Sequence, residues 1–231
     1  MIRAVIFDVG GPLDIEVQHE AAIDADIRAG LVREGVVVTD EAFAAAERRA
    51  VASFAPSLYR AVIWELVGGD VEKSRRVYDW MEAQSAQRDV FELREGIADV
   101  LEGIRERGLK LGLAANQPAA VLDRLARHAV AHYFESQAVS GIYGFRKPDV
   151  RLFLRACEDL GVAPDECIML GDRIDLDVVP AKSLGMRTIL LRTGRHRTQQ
   201  ARDWTEVPDT EVEDVAQILP AIDAMLTREG A

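Results

Sequence analysis

Three aspartates, a lysine and an asparagine stand where a chain can gather chemistry. Asp8 closes the apolar run Ala4-Val5-Ile6-Phe7, and Asn116 closes the run ending Leu113-Ala114-Ala115. Asp172 follows Cys167-Ile168-Met169-Leu170 and Gly171, with Asp177 a turn further on, and Lys147 lies in Arg146-Lys147-Pro148-Asp149. In open α/β sheets, ligands bind beyond the carboxyl ends of the strands. Polar residues placed directly after apolar strand runs are therefore to be read together. Carboxylates brought close from separate strand ends repel unless a cation offsets them. Mg2+ takes one or two carboxylates together with waters and phosphate oxygens. Lys147 adds a point charge suited to a phosphate or an ionised carboxylate. The set describes phosphoryl chemistry better than metal-free acid catalysis. Taken singly, each residue has a plainer role: Asp8 as a loop cap, Asp172 and Asp177 as acids at a helix N-terminus, Lys147 on the surface. Asn116 suits loop structure and phosphate contact equally.

The elements that must position these residues follow from hydrophobic patterning. Runs that are apolar on both faces read as buried parallel strands, at 4–7, 109–115, 167–170 and 187–191, with shorter strands at 135–139 and 210–212. Helices are expected between them at 96–107, 118–128, 149–160 and 176–184, with Gly185 as a C-terminal cap, and a last helix runs toward Ala231. Between the first strand and the rest lies a stretch rich in Ala, Glu and Arg with apolar residues at helical spacing. It reads as helices at 20–34, 40–53, 57–67 and 71–87, the second capped by Thr39 and the third separated from the fourth by Gly68-Gly69. Strand–helix alternation implies an α/β fold, a doubly wound parallel sheet with a Rossmann-like core. The core is expected from residues 1–14 and 94–231, and residues 15–93 form an inserted helical cap.

Bulk properties narrow the function classes. The 231 residues are 48% hydrophobic and 29% charged, enough for a sizeable core. The net charge of −11 and the lack of a basic run argue against a nucleic-acid partner. The nearest approach to one, Arg192, Arg195, His196 and Arg197, reads as a solvated loop or a local anion contact. Only two cysteines occur, and no spacing marks a disulfide framework or a zinc site. No stretch approaches a membrane-spanning length, and the short apolar run before Asp8 does not make a secretory signal. A cytoplasmic protein with no membrane partner is expected. The oligomeric state stays open, and an exposed apolar cap face would suit a dimer.

The order Ile6-Phe7-Asp8-Val9-Gly10-Gly11-Pro12-Leu13, then Leu113-Ala114-Ala115-Asn116, then Arg146-Lys147-Pro148-Asp149, then Leu170-Gly171-Asp172 with Asp177 resembles the haloacid dehalogenase-like hydrolase superfamily. The helical block sits where that superfamily carries its cap, and the spacing of Asp172 and Asp177 is similar to the phosphatase branch. The resemblance implies a Mg2+-dependent hydrolase of small phosphorylated substrates, with Asp8 as nucleophile giving an aspartyl-phosphate. It implies Asp8, the Gly10 carbonyl and Asp172 as metal ligands. Asp177 would hold a metal-bound water or Lys147, and Lys147 would neutralise the phosphoryl oxygens. Gly11 and Asn116 would contact substrate, and the cap would close the site and choose the leaving group.

Two positions depart from the superfamily pattern. Gly10 stands where the phosphatases carry a second Asp, the usual acid and base, and Asp14 and Glu16 are the nearest alternative donors. Ala115 stands where a Ser or Thr hydroxyl usually binds a phosphoryl oxygen. A slow phosphatase is expected, with a weak or inert relative that binds a phosphorylated ligand or a protein as the alternative. A 2-haloacid dehalogenase is disfavoured by Gly171-Asp172.

Overall fold

The computed structural model describes residues 1–85 and 88–228. The expected end of the fourth helix at Gln87, and the end of the chain at Ala231, lie outside the described residues. In chain order the strands are β1 (Ala4–Phe7), β2 (Lys110–Ala115), β3 (Ser136–Val139), β4 (Cys167–Gly171), β5 (Arg187–Leu191) and β6 (Thr210–Val212). The helices are α1 (Val17–Arg33), α2 (Asp40–Ala52), α3 (Leu58–Leu66), α4 (Val71–Ser85), α5 (Ile97–Glu106), α6 (Val121–Arg127), α7 (Ser140–Tyr143), α8 (Arg151–Leu160), α9 (Val179–Ser183) and α10 (Ile218–Arg228). No helix among the described residues is long and apolar enough to cross a membrane.

The six strands form one parallel sheet in the order β3-β2-β1-β4-β5-β6. β1 is central, and all four of its residues are fully buried. That is why its sequence is apolar on both faces rather than alternating. Ala4 and Ile6 point to one face, where Leu152, Phe153, Ala156 and Leu160 of α8 join Met169 and Ala181 in a cluster. Val5 and Phe7 point to the other face, where Phe7 meets Phe134 edge-on with ring centroids 6.2 Å apart. Each Val, Leu, Ile, Phe or Met among them contributes about 1.5–3 kcal/mol when fully buried. The order around β1 therefore puts Asp8 at the middle of the crest, between the ends of β2 and β4.

The chain divides into two compact units, residues 1–15 with 92–231 and residues 16–91. This boundary falls outside the expected break at 14/15 and 93/94, for a structural reason. Asp14 pairs antiparallel with Leu93, Ile15 N donates to Glu92 O at 3.0 Å, and Arg94 N donates to Leu13 O at 2.7 Å. The two chain passages are thus stitched together on the sheet-bearing unit's side. The second unit is four helices around Ile23, Ile27, Leu31, Phe43, Val62, Ile63, Val77 and Met81. Thr39 caps α2 by accepting from Ala42 N at 3.2 Å. Gly30 allows α1 close to α4: a Cβ there would stand 3.1 Å from Val77 Cγ1.

One element differs in kind from expectation. A helix is expected from 176, but Ile174–Val178 is a π-turn that leads into α9. Val178 N bonds back to Arg173 O and Val179 N to Ile174 O, five residues each. Pro180 has no N–H to bond Leu176, so α9 starts afresh with proline in its first turn.

Candidate active site

Asp8 leaves the sheet at the end of β1 with its backbone still in the ladder, its N–H donating to Leu170 O at 2.9 Å. Its Oδ1 accepts from Val9 N at 2.7 Å, which turns Oδ2 toward Lys147. Lys147 Nζ lies 2.9 Å from Asp8 Oδ2 and 2.5 Å from Asp177 Oδ1. The lysine and Asp177 side chains are buried to within 1%, and Asp8 keeps 13% exposure. Asp8, Asp172 and Asp177 each offer a carboxylate oxygen within 4.8 Å of the others. The five residues singled out by sequence thus gather on one crest.

The charges explain one another. Burial raises the Asp8 carboxyl to about 6, against the pull of Lys147, and Asp177 adds to the rise. Burial works against the Lys147 ammonium too, but Asp177 and Asp8 outweigh it and hold its pKa above the usual lysine range. Three carboxylates against one ammonium leave the cluster net negative. The donors are all hard oxygens, which fit Mg2+ rather than a soft metal.

Asn116 and Gly11, expected at the substrate, also have partners within the protein. Asn116 Nδ2 donates to Lys147 O at 3.0 Å and its Oδ1 accepts from Lys147 N at 2.7 Å. The amide therefore builds the loop that aims the lysine. Gly11, with φ +80°, has its N–H on Asp14 O at 2.9 Å and its carbonyl on Arg94 Nε at 2.7 Å. Its contribution is space, since a Cβ there would lie 2.7 Å from Asp172 Cγ. Gly171 does the same for Asp177, whose carboxylate a Cβ would overlap. Gly10 lies in the same loop, its backbone bridged to Asp14. Ala115 is a fully buried methyl at the end of β2. Asp14 Oδ1 accepts from Glu92 N at 3.0 Å, so this carboxylate ties the two chain passages together.

Sequence reading missed three groups that support this site. Arg94 holds the Gly11 carbonyl and also donates to Thr193 Oγ1 at 2.9 Å. Arg173 is only 14% exposed and grips Asp175 with both Nε and Nη2. Its backbone N–H donates to Asp177 Oδ2 at 3.0 Å. Gln199 is buried to 1% and reaches Ile174 N. None of the three carries a spacing signal, because each meets its partner only through the fold.

A family model described as haloacid dehalogenase-like hydrolase matches residues 2–185. A glyceraldehyde 3-phosphate phosphatase of Methanopyrus kandleri is 27% identical over 96% of this chain and 97% of its own length. A phosphoserine phosphatase of Thermus thermophilus is 32% identical over 73% of this chain and 65% of its own. Among solved structures, a predicted phosphoglycolate phosphatase from Haemophilus somnus superposes with a TM-score of 0.71 at 18% identity, covering 96% of this chain and 98% of that one. That likeness is one of fold.

Proposed function

The chain belongs to the haloacid dehalogenase-like hydrolase family, and from that membership we propose that it is a phosphatase of small phosphorylated metabolites, with Asp8 as nucleophile and Mg2+ as cofactor. The observation that carries the reading is the buried Lys147 ammonium shared between Asp8 and Asp177, with Asp172 beside them. Asp8, Asp172 and the Gly10 carbonyl would hold the metal, with Asp177 behind them. Bound there, Mg2+ would withdraw charge from the phosphoryl oxygens.

In this reading an Asp8 carboxylate oxygen bonds to phosphorus as the bond to the ester oxygen breaks, giving an aspartyl-phosphate. Lys147 offsets the negative charge that gathers between Asp8 and the phosphoryl group. The backbone N–H of Asn116 is a further donor at the same strand end. Water then attacks phosphorus, inorganic phosphate leaves, and the Asp8 carboxylate is restored. Gly10 carries no side chain to protonate the departing oxygen, so the proton comes from solvent. General acid–base help is typically worth about 10²–10⁴-fold. The expected enzyme is therefore slow on alkyl phosphates and faster on esters whose leaving groups are already acidic.

The relatives named for glyceraldehyde 3-phosphate and phosphoserine make three-carbon phosphate esters the first physiological substrates to try. In this reading the helical insertion selects among them. The decisive experiment is hydrolysis of an aryl phosphate with Mg2+, compared between wild type and Asp8→Asn. Full activity in the variant would remove Asp8 from the reaction. Gly10 and Ala115 also favour a second reading, a nearly inert relative that binds phosphorylated ligands. Failure across a broad phosphate panel, with Mg2+ binding retained, would support it.

A further inference from the structure

The turn that presents Asp177 is held at its start by a side chain from another part of the crest. Ile174 opens the π-turn and is fully buried. The first N–H groups of a helical turn have no acceptor within it, and a buried one needs a partner. The Ile174 N–H donates to Gln199 Oε1 at 2.9 Å, 25 residues further along the chain. Gln199 Nε2 donates in turn to Asp175 Oδ1 at 3.3 Å. The glutamine is itself fixed: its N–H donates to His196 O at 2.9 Å, and its carbonyl accepts from Arg192 Nη1. Inside the turn, Asp177 Oδ2 accepts from Arg173 N and Oδ1 from Lys147 Nζ. The backbone of the turn thus orients Asp177, and Gln199 orients the backbone of the turn.

We propose that Gln199 is a positioning residue of the active site. It touches no reacting atom, and it acts by setting Asp177 and, through Asp177, the reach of Lys147 to Asp8. A buried amide that accepts at one end and donates at the other has a single orientation, so it transmits position. The loop holding Arg192, Arg195, His196 and Arg197, which reads in sequence as a solvated loop or a local anion contact, becomes part of the site's support through Gln199. Groups that orient a metal-binding or catalytic shell from behind are typically worth 10–100-fold in metal affinity or activity. The inference rests on the reading of Asp8 and its neighbours as a metal-assisted phosphatase site.

The test compares Gln199→Met with the core variant Ile222→Val in the full chain. Methionine fills the volume and leaves Ile174 N–H without an acceptor. Ile222 is fully buried in α10 and reports the effect of destabilisation alone. Aryl phosphate hydrolysis gives kcat and KM, and calorimetry gives Mg2+ affinity without reference to turnover. Gln199→Met is expected to lose about 10–100-fold in kcat and in Mg2+ affinity, with KM for the ester within a few-fold. Ile222→Val is expected to keep both. The inference is overturned if Gln199→Met retains wild-type kcat and Mg2+ affinity, or if Ile222→Val loses as much. Should Gln199→Met not fold, Gln199→Asn carries the same comparison, since it shortens the reach and keeps the amide. If wild type hydrolyses no phosphate ester, the phosphatase reading fails, and the calorimetric comparison still decides the role of Gln199.

Discussion

At the scale of single residues, the lysine between two carboxylates bears on stability and, in the proposed reading, on chemistry. Removing one partner of a buried ion pair typically costs 3–5 kcal/mol, because a charge is left uncompensated. Lys147→Met is expected to fall in that range by denaturant titration and to abolish hydrolysis. Asp8 behaves oppositely. Its folded pKa of about 6 exceeds the ordinary 3.8, so the fold prefers the protonated carboxyl. The associated stability is full below the unfolded value and is lost as pH rises through about 6. Asp8→Asn is therefore expected to melt no lower than wild type at pH 8 in chelator, although it should be inactive. A lower melting temperature there would show that the Lys147 pair outweighs the burial of charge. Gly10 offers a gain-of-function test. It lies outside the left-handed region that ten other glycines occupy, so a side chain there meets no backbone penalty. Gly10→Asp is expected to raise kcat on alkyl phosphates toward the 10²–10⁴ of a general acid, and to change aryl phosphate hydrolysis much less. An equal rise on both substrates would contradict the proposed missing proton donor.

At the scale of elements, the crest loops carry what the strands cannot. The strands were legible because a central parallel strand such as β1 must be apolar throughout, and the polar residue that stops it is conspicuous. Asp8 and Asp172 were legible for that reason, Lys147 and Asp177 through the order of the motifs, and the structure brings the four together. The π-turn was not, because helical spacing around Asp177 looks the same for four- and five-residue bonding until Pro180 is taken into account. Arg94 and Gln199 were illegible for a different reason: a lone polar residue in a loop reveals its partner only after the sheet has formed. The loop after β5 adds a pH dependence of its own. Burial lowers the His196 pKa to about 4, with Arg173 and Arg195 adding and Asp175 opposing. Its Nδ1 is buried with no partner among the described residues. The unfolded imidazole titrates near 6.5, so this contribution is complete above that pH and is lost as pH falls toward 4. His196→Gln should flatten the acid limb of stability between those values in chemical denaturation. An unchanged limb would mean that the imidazole is already protonated in the fold.

At the scale of the whole molecule, the site belongs to one unit although that unit is assembled from two pieces of chain. Both pieces are needed for the crest, because Asp8 precedes the helical insertion and Lys147, Asp172 and Asp177 follow it. The helical unit has its own apolar cluster. Replacing residues 16–91 by a short Gly-Ser linker is expected to leave a folded sheet unit that still binds Mg2+, by thermal melting and calorimetry. Loss of the cooperative transition would show that the sheet depends on the helices for stability. The reason to expect success is the junction, where Ile15 N meets Glu92 O at 3.0 Å and Asp14 meets Leu93. Polymer statistics give that stitch a wider meaning. Each doubling of the length of a flexible loop raises its closure entropy by only about 0.6 kcal/mol. With the two exits already held side by side, the inserted segment can grow, shrink or be exchanged at little expense to β1. In the proposed reading, specificity can then drift within the insertion while the geometry around Asp8 stays under separate selection.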